Sequence, residues 1–268
     1  MSTKFEELVN VMTRLRAPGG CPWDREQTYE SLAPYLLEES YEAFDAIQDA
    51  AETGNTAHLA DELGDVLLQV VFHSTIAKEK GDFTIDDVAE GVAQKLILRH
   101  PHVFEDKKLE TADDVLNSWD ELKKDEQKAR GKEAKNNGSI LDDVPKAFPA
   151  LIEGNKITKK AAKVGFDWEN PDQVFEKLDE EVVELKKAIG SDEKKNIEEE
   201  IGDLLFVVVN LARKLGVEPE NALKKTNRKF RKRFRFIEEE LKLQVKTFED
   251  VNLEEMDGLW NKAKSADS

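Results

Sequence analysis

Apolar residues recur along this 268-residue chain at intervals of three and four, and nowhere is a two-residue alternation sustained. That period predicts helices throughout and no sheet. The pattern places them over Lys4–Leu15, Leu32–Ala51, Thr56–Glu79, Ile85–Leu98 and Ala112–Ala129, then Ala147–Val164, Pro171–Ile189, Lys194–Leu215, Pro219–Leu243 and Asn252–Ser265. Local punctuation agrees with these limits. Gly54-Asn55 and Gly190-Ser191 each separate an acidic helix from its neighbour, and Pro219 suits a first helical turn. The polar stretch Lys128–Ser139, with two glycines and two adjacent asparagines, interrupts the pattern and reads as a flexible linker.

The order of motifs repeats across that linker. Glu38-Glu39-x-x-Glu42 followed by Glu62-x-x-Asp65 is matched by Glu180-Glu181-x-x-Glu184 followed by Glu200-x-x-Asp203. Lys95-x-x-x-Arg99 is matched by Lys229-x-x-x-Arg233, and Trp119-x-x-x-Lys123 by Trp260-x-x-x-Lys264. Four elements recur in one order at separations between 134 and 142 residues, which indicates a tandem duplication with loop-length drift. The expected organisation is an N-terminal domain over residues 1–127, a linker over 128–141 and a C-terminal domain over 142–268. All-α copies this small bury limited apolar area each, so they are expected to pack on each other or dimerise.

Hydrophobic patterning also gives the acids their weight. An i,i+3 pair faces one way on a helix. Glu200 and Asp203, about 60° apart, share their strip with Val207, while Leu205, Phe206, Val208 and Val209 cover the other directions. Glu62 and Asp65 run likewise into Phe72 and Ile76 among Leu63, Leu67, Leu68, Val70 and Val71. A helix apolar all round is expected to be buried, and a carboxylate entering it costs several kcal/mol unless neutralised or coordinated. Gly64 and Gly202 fall between the acids, where close approach of a neighbouring helix is the expected use of a missing side chain.

Composition narrows the chemistry. A net charge of −17 argues against nucleic acid or an anionic membrane as partner, and the longest apolar runs are far too short to span a bilayer. The start lacks a signal-peptide profile, so a cytoplasmic location is expected. Cys21 is the single cysteine, which removes disulfides and thiolate metal sites. Four histidines, none in Glu-x-x-His or His-Glu-x-x-His, remove the di-iron and zinc signatures. Glu39, Glu42, Glu62 and Asp65, and likewise Glu181, Glu184, Glu200 and Asp203, have no cationic partner nearby in sequence, and carboxylates converging in this way favour Mg²⁺, with Mn²⁺ possible. The basic run from Lys224 to Arg235 is a solvated helix face or a collector of small polyanions; Lys229 and Arg233 point the same way, suited to phosphates. His100-Pro101-His102 sits beside a helix-breaking proline and reads as packing.

The acidic pattern resembles the MazG family of nucleoside triphosphate pyrophosphohydrolases. Gly20-Cys21-Pro22-Trp23-Asp24 with Gln27-Thr28, Arg99-His100-Pro101-His102-Val103-Phe104, Asp143-Val144-Pro145 with Pro149-Ala150-Leu151, and Gly165-Phe166-Asp167-Trp168 are similar to its two-domain members in particular. The resemblance implies tandem helical-bundle domains, a homodimer, Mg²⁺ dependence, and hydrolysis of nucleoside triphosphates to monophosphate and pyrophosphate as nucleotide-pool housekeeping. It implies metal ligands at Glu181, Glu184, Glu200 and Asp203, with Glu180 and Glu199 beside them to orient a water or a second ion. Lys229 and Arg233 would hold phosphates, and Trp260 and Lys264 would close the pocket. The first-half counterparts are Glu39, Glu42, Glu62 and Asp65 with Lys95, Arg99, Trp119 and Lys123. Pro101 and a poorer set of cations make the second half the expected main site. The alternatives are a non-catalytic nucleotide or metal sensor, a helical scaffold, and narrower dUTP or phosphoribosyl-ATP hydrolysis.

Overall fold

The computed structural model describes residues 3–105, 111, 114–115, 138–191 and 194–266. Among them are eleven α-helices, one 3-10 turn and no strand. The helices are α1 (Thr3–Arg16), α2 (Pro22–Glu26), α3 (Tyr29–Thr53), α4 (Ala57–Lys80), α5 (Ile85–Arg99) and α6 (Pro101–Phe104), then α7 (Ala150–Ala162), α8 (Pro171–Ser191), α9 (Lys194–Lys214), α10 (Pro219–Leu243) and α11 (Leu253–Ala266). The chain divides into two compact units, Met1–Ala134 and Lys135–Ser268. The helix expected over Ala112–Ala129, with Trp119 and Lys123, lies outside the described residues apart from two positions. No helix among the described residues is long and apolar enough to cross a membrane.

In the first unit α3 and α4 form the central hairpin and α1 packs on α4. Thr28 starts α3 with a reciprocal cap: its hydroxyl accepts from the Ser31 amide and its own amide donates to the Ser31 hydroxyl. Gly54 stops the helix in the left-handed region, at φ 74°, where a side chain is disfavoured. Met12, Leu32, Val71, Phe72 and Ile76 form the core, sealed by Phe5, Leu8, Leu15, Tyr29 and Leu68.

The second unit repeats the hairpin with α8 and α9, and α7 lies along α9. Gly154 allows that approach, because a Cβ there would stand 3.4 Å from Val209 Cγ1. The α7–α9 seam also buries Asn155, Thr158 and Asn210. Arg213 and Lys214 at the end of α9 bond Asp167, whose carboxyl they hold well below the usual carboxylate range, the Arg213 hydrogen bond contributing most. α10 and α11 pair around Ile237, Leu241 and Leu259.

The expectation that α4 and α9 are buried all round is not met within the chain. Leu63 and Leu67 on α4, and Ile201, Leu205, Phe206 and Val208 on α9, are exposed. Among the described residues, the helices of each unit leave these faces of the central hairpin open. The expected close approach at Gly64 and Gly202 is absent too among the described residues, since a Cβ at either position would meet none of them within 4 Å.

Candidate metal centres

Each hairpin brings carboxylates from two helices together. Glu39 and Glu42 on α3 meet Glu62 on α4, and Glu181 and Glu184 on α8 meet Glu200 on α9; in each trio one oxygen per residue lies within 4.8 Å of the others. Two residues of each trio are an i,i+3 pair, so a single helical face supplies them and the facing helix needs to present only one acid. Asp65 and Asp203 stand outside the trios on exposed helix faces, yet both charges act on them.

Electrostatics show a cost that a cation would relieve. Desolvation raises the Glu39 pKa first, followed by the charges of Asp65, Glu42, Glu62 and Glu38. Glu200 is raised likewise by desolvation, then by Glu184, Glu181, Asp203 and Glu199. Glu181 is only 4 % exposed, and the Glu62 side chain only 12 %. Glu62 Oε1 faces His58 Nδ1 at 3.2 Å, while Oε2 is buried without a hydrogen-bond partner. A close, all-oxygen donor set with an unmet buried oxygen fits a hard divalent cation.

The second trio has a neighbour that the expectation of acids without a cation in reach did not include. Lys177 on α8 reaches Glu181 Oε1 at 2.7 Å and Glu180 Oε1 at 2.9 Å, which raises its own pKa. The signal was present as a lysine one turn before Glu181 on the same face. Glu180 is therefore engaged by Lys177, whereas Glu199 is exposed. In the first unit the same register, one turn before Glu39, holds Tyr35.

The basic and aromatic residues form a separate group. Lys229 and Arg233 lie one turn apart on α10, and the Arg233 guanidinium stands 5.7 Å from the centre of the Trp260 ring on α11. Phe230 packs on the same indole at 5.0 Å. Lys264 is exposed one turn beyond Trp260. The charges that act on Glu200 are those of Glu184, Glu181, Asp203 and Glu199. Lys95 and Arg99 are half-buried on α5, which ends before Pro101 as the proline requires. His100 Nδ1 lies 2.7 Å from the Leu96 carbonyl, a local packing contact.

A pH dependence follows. Glu39 and Glu200 have folded pKa values above their unfolded ones, so between those values the folded chain holds more protons and loses stability as pH rises. Asp167, shifted the other way, stays ionised throughout that window. His73, held below its ordinary value by burial, works the other way within the same range. Compared with a Glu39→Gln, Glu200→Gln double variant that keeps the His73 shift, the metal-free wild type is expected to lose melting temperature as pH rises above the carboxylate range. Thermal unfolding of both in chelator checks this; a wild type that gains on the variant as pH rises would contradict it.

The description MazG nucleotide pyrophosphohydrolase domain matches the chain twice, over residues 27–104 and 169–236. The chain is 45 % identical over 263 residues to the nucleoside triphosphate pyrophosphohydrolase/pyrophosphatase MazG of Thermotoga maritima, covering 98 % of this chain and 96 % of that protein. It is 44 % identical over 266 residues to the nucleoside triphosphate pyrophosphohydrolase of Escherichia coli K12, covering 97 % of each. A Mycolicibacterium smegmatis protein of the same name is 41 % identical over 164 residues, covering 60 % of this chain and 47 % of that one. Both hairpins with their acid trios fall inside the matched segments, and the chain belongs to the MazG nucleotide pyrophosphohydrolase family.

Proposed function

We propose that this protein hydrolyses nucleoside triphosphates to nucleoside monophosphate and pyrophosphate, as cytoplasmic nucleotide-pool housekeeping, with Mg²⁺ as cofactor and Mn²⁺ as a substitute. The observation that carries the reading is the pair of glutamate trios, each with three oxygens within 4.8 Å, in a chain of this family. The second unit is the main site. Glu181, Glu184, Glu200 and Asp203 would hold the metal there, and Glu39, Glu42, Glu62 and Asp65 would do so in the first unit. When bound, Mg²⁺ supplies Lewis acidity and lowers the pKa of water in its shell.

The remaining work belongs to side chains. Water attacks the α-phosphorus, the α–β bridging bond breaks, and Glu199 or Glu180 takes the proton. Lys229, Arg233 and Lys264 stabilise charge on the departing pyrophosphate, and Trp260 holds the Arg233 guanidinium in place. Lys95, Arg99, Trp119 and Lys123 play the corresponding roles in the first unit. The domains run over 1–127 and 142–268, joined by 128–141.

A homodimer accounts for the open apolar faces. Leu63 and Leu67 on α4, and Leu205 and Val208 on α9, lie on the two hairpins that build the metal centres, and a second copy is their natural cover. The net charge of −17 supports small phosphates over nucleic acid as partner. A panel of nucleoside triphosphates incubated with Mg²⁺ tests the whole reading: monophosphate and pyrophosphate are expected in equal amounts. Binding without pyrophosphate release from any substrate would favour a sensor instead.

A further inference from the structure

Trp23 is 51 % exposed, yet the turn that carries it is firmly tied. Gly20 folds the chain back onto the end of α1, where a Cβ would sit 2.2 Å from the Leu15 carbonyl oxygen. The Arg16 side chain, 6 % exposed, donates to the carbonyls of Asp24 and Gln27 across the turn and to both carboxylate oxygens of Glu79 on α4. The Gln27 amide donates to the Trp23 carbonyl at 2.9 Å, and Gln27 Oε1 accepts from the Ser31 hydroxyl of α3 at 2.7 Å. The turn is thus bound to α1, α3 and α4 while its indole stays open.

That indole meets Tyr35 edge-on, with ring centres 6.2 Å apart and planes at 80°. Tyr35 is itself 39 % exposed and lies one helical turn before Glu39 on the same face of α3. Tyr35 thus precedes Glu39 of the first trio by one helical turn, about 6 Å along the axis, and the Trp23 ring stands against it, so two partly open aromatic rings adjoin the helix face that carries the acids. The second unit has Lys177 in this register, ion-paired to its own trio. One unit offers a ring where the other offers a charge.

We infer that Trp23 and Tyr35 form a nucleobase-stacking platform, which makes the first unit a site for base-bearing phosphates of any base. The inference rests on Glu39, Glu42 and Glu62 being the metal site for the phosphates. Aromatic stacking tolerates every base because each has a π-face, so the platform favours base-bearing phosphates over bare polyphosphate.

The test uses the full chain with the second centre silenced by Glu200→Gln and Asp203→Asn. Calorimetric titration with Mg²⁺ compares a non-hydrolysable nucleoside triphosphate analogue with inorganic tripolyphosphate, which has no base. Trp23→Ala and Tyr35→Ala are each expected to weaken the nucleotide analogue about 5-fold or more and to leave tripolyphosphate within about 2-fold. Tyr35→Phe, which keeps the ring, is expected to retain affinity, and Tyr35→Ala carries the test should Trp23→Ala fold poorly. Equal loss of both probes, or unchanged nucleotide affinity with a changed mass in sedimentation, would overturn the platform. Those results with tripolyphosphate binding still lost on Glu62→Gln would sink the platform alone; binding of both probes that survives Glu62→Gln would remove the metal site beneath it.

Discussion

Glu200→Gln is expected to lower pyrophosphate release by roughly 10³-fold while keeping the fold. Glu200 is the one acid that α9 contributes to the second trio, and four neighbouring carboxylates, Glu184, Glu181, Asp203 and Glu199, act on it. Glutamine preserves shape and removes the charge, so metal affinity is lost while the repulsion among the acids is relieved. The variant should therefore melt higher than wild type in chelator and gain less from Mg²⁺. Glu62→Gln, its counterpart on α4, is expected to leave most of the hydrolysis intact because the second unit carries it. Product quantitation on both variants, with melting curves in chelator and in Mg²⁺, separates these outcomes. Full pyrophosphate release from Glu200→Gln would rule out the assignment.

Arg16→Ala is expected to lower the unfolding free energy by about 2–4 kcal/mol. The Arg16 side chain is 6 % exposed and joins four groups: two oxygens of Glu79 and the carbonyls of Asp24 and Gln27. Alanine removes the donor from two carbonyls of the turn and the fork from the half-exposed Glu79 carboxylate, and frees the turn bearing Trp23. Arg16→Lys recovers only a fraction of the loss, because an ammonium cannot reproduce the planar fork that spans Glu79. Urea unfolding measures both variants. A loss below about 0.5 kcal/mol for alanine would mean that water replaces the guanidinium without penalty.

Much of the molecule is legible in the chain. The long helices follow from apolar spacing, and α10 spans Pro219–Leu243 as the pattern predicts. The i,i+3 pairs Glu39/Glu42 and Glu181/Glu184 each supply two acids of a trio, because helix geometry puts them on one face, whereas Asp65 and Asp203, the i,i+3 partners of Glu62 and Glu200, stand outside it. α7 starts at Ala150 rather than Ala147, since Pro149 keeps Phe148 out of helical conformation. The five-residue α2 escaped periodicity altogether: its order comes from Arg16 and a reversal at Gly20, which are tertiary contacts. Lys177 is readable as a spacing, since its contacts with Glu180 and Glu181 stay within α8; what needs the folded hairpin is the meeting of those acids with Glu200 of α9. The open faces of α4 and α9 could not be read from hydrophobicity, which says that a surface seeks cover and not whether this chain or a second copy supplies it.

Titration of the chelator-stripped chain with Mn²⁺, counting free ion by electron paramagnetic resonance, probes the trios most directly. Two classes of site per chain are expected, one abolished by replacing Glu39, Glu42 and Glu62 with glutamine and the other by the same change at Glu181, Glu184 and Glu200. A wild-type chain that binds no more Mn²⁺ than the variant lacking both trios would contradict the account.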